Sequence, residues 1–127
     1  MKYSQQMNSY KNLGIGSFGS YFRSSAKYQF ASSCKKQLRL LAKELGLSKG
    51  DYDLRFNAGG TAVSGEATLH TDKFYVQINA NGLTKGVMFR RCNGRKDYSG
   101  GHNHFTDYTS LDTPSVFATM IRDILGV

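Results

Sequence analysis

The chain lacks tryptophan, has a single proline, Pro114, and has two cysteines and nine acidic residues in 127 positions. Each scarcity removes a class of protein. Cys34 and Cys92 are too few and too far apart for a disulfide framework or a paired zinc knuckle, so both are expected as reduced, buried thiols. Apolar runs stop at three or four residues, far short of the roughly 20 that cross a bilayer, so no transmembrane helix and no membrane role are expected. Met1-Lys2-Tyr3-Ser4-Gln5-Gln6 has no apolar stretch behind it, so a secretory signal is not expected either, and the expected location is cytoplasmic. Folds of roughly 250 residues, such as a full TIM barrel or a complete protein kinase, are excluded by length. One hydrophobic core is what such a chain supports.

The shortage of acids leaves 17 Lys and Arg against nine Asp and Glu, a formal charge of 17 − 9 = +8. A surplus of that size favours acidic partners: nucleic acid, a nucleoprotein complex or an acidic protein surface.

Positions 1–24 are rich in Ser, Gly, Tyr, Asn and Gln without a sustained period and read as an irregular arm, its aromatics Tyr3, Tyr10, Phe18, Tyr21 and Phe22 available to tack it onto a core or a partner. Positions 25–127 read as a single α+β domain. Phe30, Cys34, Leu38, Leu41 and Leu45 fall on one helical face, a serine at 24 or 25 can cap the start, and Gly46 can close the end. Lys35, Lys36, Arg39 and Lys43 occupy the other face, either as a solvated basic side or as a stripe for phosphates.

Four strands are expected between 52 and 92. Tyr52, Leu54 and Phe56 alternate with polar residues, Ala62 to Leu69 follows with Gly65 in its middle, Phe74, Val76 and Ile78 alternate again, and Val87 to Cys92 closes the set. Turns are expected at 58–60, at His70-Thr71-Asp72 and at Asn81-Gly82. Connections this short exclude parallel crossovers and predict an antiparallel meander. Asp112-Thr113-Pro114 then starts a second helix, with Val116, Phe117, Met120, Ile121 and Ile124 at helical spacing and Gly126 at its end. Both helices are expected on the apolar face of one sheet.

Three short matches carry little. Gly14-Ile15-Gly16-Ser17-Phe18-Gly19 spells a phosphate-covering loop, but neither the other kinase motifs nor a preceding strand accompany it. His102-Asn103-His104 could point two imidazoles one way, with Cys92, Asp97 and Asp107 near enough in sequence to complete a metal site, yet the spacing fits no established zinc pattern. His104-Phe105-Thr106 is one His-x-Thr unit where two-histidine phosphoesterases need two.

The stretch from Arg90 to Tyr108 is the most distinctive. Arg90, Arg91, Arg95 and Lys96 are interleaved with Tyr98, His102, His104, Phe105 and Tyr108 among glycines, the composition of a nucleic-acid contact loop or of a long connection with its aromatics tucked in.

Ala62–Glu66, His70–Ile78, Val87–Cys92 and Gly94–Gly101 together resemble a stretch found in small bacteriophage-encoded proteins. The resemblance covers the middle third of the chain and carries no catalytic signature. It implies a host-takeover or anti-defence factor, anti-CRISPR proteins included, working in the host cytoplasm. The combined expectation is a non-catalytic binding protein without a cofactor, which blocks a host nucleic-acid or nucleoprotein machine through Arg90, Arg91, Arg95, Lys96 and Tyr98, with Lys35, Lys36, Arg39 and Lys43 as secondary contacts. The alternative is a small metal-assisted phosphodiesterase or small-nucleotide binder centred on His102 and His104. A third reading uses the same arginines on an acidic protein surface.

Overall fold

The computed structural model describes residues 2–12, 24–57, 65–79 and 85–127. In chain order it comprises α1 (Tyr3–Asn12), α2 (Ser24–Glu44), β1 (Tyr52–Asn57), β2 (Glu66–Thr71), β3 (Phe74–Asn79), β4 (Gly86–Arg91), β5 (His104–Asp107), a 3-10 turn (Tyr108–Asp112) and α3 (Pro114–Leu125). The fold is α+β, and the strands form one antiparallel sheet in the order β1-β2-β3-β4-β5. No helix among the described residues is long and apolar enough to cross a membrane.

Strand alternation divides the sheet into two faces. One carries Leu54 and Phe56 of β1, Ala67 and Leu69 of β2, Phe74, Val76 and Ile78 of β3, and Val87 and Phe89 of β4, aligned across the ladder as Leu54↔Leu69↔Val76↔Phe89. Phe30, Cys34, Leu38 and Leu41 of α2 and Phe117, Ala118 and Ile121 of α3 belong to the same buried cluster. Burying each large side chain there contributes about 1.5–3 kcal/mol before conformational entropy is subtracted. The α2 helix closes as the sequence predicts: Gly46 takes φ +74° and Leu47 N–H returns 2.9 Å to the Ala42 carbonyl.

Several features depart from the sequence expectation. Among the described residues the sheet has five strands, not four. His104–Asp107 pairs with Gly86–Phe89 at the edge, although a four-residue strand with a His, an Asp and alternating half-exposure carries almost no hydrophobic pattern. The 1–24 arm begins as a helix, since Tyr3 and Met7, four apart, are buried against Cys34: the Tyr3 hydroxyl donates to Cys34 Sγ at 3.2 Å and Cys34 Sγ donates to Met7 Sδ at 3.8 Å. Asp112, just ahead of α3, turns its side chain to α1. Its carboxylate accepts from Ser4 N–H at 2.8 Å and Ser4 Oγ at 2.5 Å, and Thr113 stands at the helix start without a side-chain cap.

The β2–β3 turn falls at Asp72-Lys73, with His70 and Thr71 still in the strand; Thr71 Oγ1 accepts from Lys73 N–H at 3.1 Å and Phe74 N–H at 3.0 Å. β2 starts at Glu66, just after Gly65. The Gly14–Gly19 match, Ala62–Ser64 and the Asn81-Gly82 turn lie outside the described residues.

Candidate functional site

The second face of the sheet carries no helix among the described residues. The same alternation places Asp53 and Arg55 of β1, Glu66, Thr68 and His70 of β2, Tyr75, Gln77 and Asn79 of β3, Met88 and Arg90 of β4, and Phe105 of β5 on it. One cross-strand row reads Asp53↔His70↔Tyr75↔Arg90, and the segment after β4 folds back over this row.

His70 is the centre of that contact and is fully buried. Its Nε2 lies 3.1 Å from the Gly94 carbonyl, which can only accept, so Nε2 carries the proton and Nδ1 presents a lone pair. Arg55 Nη2 donates to that lone pair and, at 2.9 Å, to the Tyr98 hydroxyl. Burial first, and then the Arg55 charge, hold the His70 pKa below its ordinary value. The ring of Tyr98 stands 5.1 Å from both the His70 and Tyr75 rings, edge-on to Tyr75, and remains about half exposed. Cys92 Sγ is 3.5 Å from His70 Nε2 and 3.6 Å from the Thr71 carbonyl, and burial raises its pKa, which favours the thiol over the thiolate.

The loop arginines turn inward. Arg90 donates through Nη1 to Asn103 Oδ1 at 2.8 Å and through Nη2 to the Gly101 carbonyl. Arg91, on the helix side, donates through Nη1 to the Leu125 carbonyl at 2.7 Å, at the C-terminal end of α3 where a cation is favourable. Arg95 pairs with Asp53 at 3.5 Å and Asp72 at 3.2 Å and donates to the Gly50 carbonyl. Lys96 is exposed, at φ +62° in the tight turn that brings Asp97 N–H to the Gly94 carbonyl. Arg90 and Arg95 therefore hold the loop to the sheet, Arg91 ties the end of β4 to α3, and Lys96 is exposed.

The basic side of α2 behaves differently. With 100° per residue, Lys35, Arg39, Lys43 and Lys36 fall within an arc of about 100° opposite the buried stripe. Lys36, Arg39 and Lys43 are exposed, and none of the four makes an ion pair among the described residues, where every ion pair involves Arg55 or Arg95. Most carboxylates are engaged elsewhere. Asp53 and Asp72 face Arg95, Asp51 accepts from Ser48 N–H, Asp97 from Ser99, Asp107 from Thr109 and Asp112 from Ser4. Arg39 and Lys49 line an open groove with Gly50, Tyr52 and Leu54. Because Arg95 reaches the Gly50 carbonyl, the α2 surface and the loop meet at the start of β1.

His102 is exposed, whereas His104 faces the helix side and stacks on Phe89 at 5.4 Å. Among the described residues no three His, Cys, Asp or Glu side chains gather where a metal ion could be held. The cluster built by Arg55, His70 and Tyr75 was not singled out from sequence. Its only signal was their shared parity with the polar positions of β1, β2 and β3, and nothing in the pattern announced that the loop would cover them.

Comparison with known protein families, curated proteins and solved structures finds no match.

Proposed function

We propose that the protein is a non-catalytic binding protein of the bacteriophage anti-defence kind, which lays the basic side of α2 on the phosphate backbone of a nucleic acid, free or within a host nucleoprotein machine, and inhibits by occupying that surface. The observation that carries this reading is the set of uncompensated cations Lys35, Lys36, Arg39 and Lys43 on a helix whose opposite side is locked into the core. In a chain of net charge +8 the carboxylates could have neutralised such a stripe, and most are spent on turns, on the Ser4 contact and on Arg95 instead. The Arg39–Lys49 groove extends the same surface toward β1. Arg95 holds the Gly50 carbonyl at the edge of that groove.

Titration with short duplex DNA, single-stranded DNA and RNA at two salt concentrations tests the reading. Binding that weakens steeply with salt supports phosphate contacts; no detectable binding at low salt refutes them. Capture from host lysate with and without nuclease separates a nucleoprotein target from an acidic protein surface, because only the former is lost on digestion.

A further inference from the structure

The open sheet face holds a second candidate site, separate from the α2 surface. At the β1–β2 end of that face Arg55, Phe56, Asn57, Glu66, Thr68 and Tyr98 line a cleft of about 230 Å³. Drug-sized sites run to roughly 300–1,000 Å³, so this one suits a single planar ring system.

Its chemistry is unbalanced in an informative way. Arg55 spends Nη2 on His70 and Tyr98, while its Nη1 is buried without a hydrogen-bond partner, 4.0 Å from Asp53 Oδ2. Glu66 is half-buried, and its carboxylate makes no hydrogen bond or ion pair among the described residues. Burial raises its pKa, with no partner among the described residues to offset the cost. The register Arg55↔Thr68 and Asn57↔Glu66 puts the two charges on neighbouring rows of one face, yet they do not pair with each other. Leaving a buried charged donor unsatisfied is costly, and so is desolvating a lone carboxylate. A cleft that keeps both, beside a tyrosine ring wedged edge-on against Tyr75 and half open to solvent, is shaped for a flat ligand offering acceptors on one edge and paired donors on another.

Among the nucleobases guanine presents that pattern: O6 and N7 accept from a guanidinium, and N1–H and the N2 amino group donate together to one carboxylate. We infer that this cleft binds a guanine base, stacked on Tyr98, with Arg55 at its O6/N7 edge and Glu66 at its N1/N2 edge. Adenine lacks the paired donors and leaves Glu66 unsatisfied. The base can belong to a free nucleotide or to a single strand.

Calorimetric titration of the full chain with GMP, AMP and a six-nucleotide single strand carrying one guanine, or adenine in its place, tests the assignment. The expected result is saturable guanine binding, at least tenfold tighter than the adenine counterpart. Glu66→Gln, nearly isosteric, should remove at least tenfold of the GMP affinity and leave AMP unchanged, with a melting temperature no lower than the parent's confirming the fold. Tyr98→Leu should weaken GMP and AMP alike. The triple Ala variant of Lys36, Arg39 and Lys43 should leave GMP binding intact, so loss of the α2 surface and loss of this cleft are read separately. GMP binding without strand binding assigns the free nucleotide, and tighter strand binding assigns the single strand. Absence of saturable binding by either guanine probe at millimolar concentration overturns the inference, as does a GMP affinity indifferent to Glu66→Gln.

Discussion

Arg55 donates through Nη2 to Nδ1 of His70, and that contact fixes a buried imidazole in its neutral form. A proton on Nδ1 would face the guanidinium, with only the Gly94 carbonyl, Asp97 and Asp53 favouring the charged ring. The unfolded chain protonates near pH 6.5 while the fold resists. Stability from this group is therefore full above about pH 6.5 and falls as the pH drops toward and through the lowered folded value.

Urea midpoints measured from pH 8 to pH 5 should consequently decline, with His70 adding up to about 1.4 kcal/mol per pH unit, the limit for one proton. His70→Gln should flatten that part of the profile. Glu66 acts with the opposite sign, since a raised carboxyl pKa loses stability as pH rises through its window above about 4.5. The difference between the two proteins therefore isolates the histidine, and parallel profiles would refute the assignment.

Replacing Arg55 by Leu removes the donor to His70 Nδ1 and to the Tyr98 hydroxyl. Leaving the buried acceptor unpaired should cost about 1–3 kcal/mol in chemical denaturation. Amide exchange across residues 94–99 should rise with it; an unchanged exchange pattern would mean that the loop is held by Arg90 and Arg95 alone.

The triple substitution of Lys36, Arg39 and Lys43 by Ala should change stability by no more than about 0.5 kcal/mol, since these are exposed helix positions. If each meets one phosphate, the slope of log affinity against log salt should fall by about 2.7 on duplex DNA. Arg90→Ala and Arg95→Ala should do the reverse, loosening the loop while leaving most of that slope in place. Equal slopes in the triple variant and the parent would refute the α2 surface.

Gly86 adopts φ +109°, and a Cβ there would stand 2.5 Å from Cε1 of Tyr108, whose hydroxyl donates to the Asn79 carbonyl. Gly86→Ala therefore combines backbone strain with overpacking and should cost at least about 2 kcal/mol. A melting temperature within a degree of the parent would show that Tyr108 moves aside freely.

Cys34 is wholly buried under Tyr3 and Met7, and burial pushes its thiol up to about 12, so a thiol reagent should not modify it in the native protein. Asp112→Ala removes the acceptor for Ser4 N–H and Ser4 Oγ and should loosen α1 by about 1–2 kcal/mol. Faster alkylation at Cys34 under native conditions is the readout; unchanged protection would place the grip on α1 in the Tyr3 and Met7 contacts.

Period-two alternation located β1 and β3 nearly to the residue, because one face is apolar and a shift of one position would turn every side chain over. The helical spacing of Phe30 to Leu45 and the Pro114 start of α3 were equally legible. β5 was not, because four residues at a sheet edge need only half an apolar pattern. α1 was hidden in the same way, with two buried side chains, Tyr3 and Met7, in a polar stretch. At the site, counting charge located the α2 stripe but could not tell which arginines point outward. That depended on which carbonyls and carboxylates the loop meets when it folds, and such contacts span up to 45 positions, as between Arg95 and Gly50.

The sheet follows chain order from β1 to β5, so every strand finds its partner in the next one made. Loop closure is short at each step, and the strand core can assemble progressively as the polypeptide lengthens. The Ser4–Asp112 contact breaks this rule, with 108 positions between its ends. α1 precedes all five strands and its acceptor Asp112 follows all of them, so this anchor on α1 closes only after the whole sheet has been made.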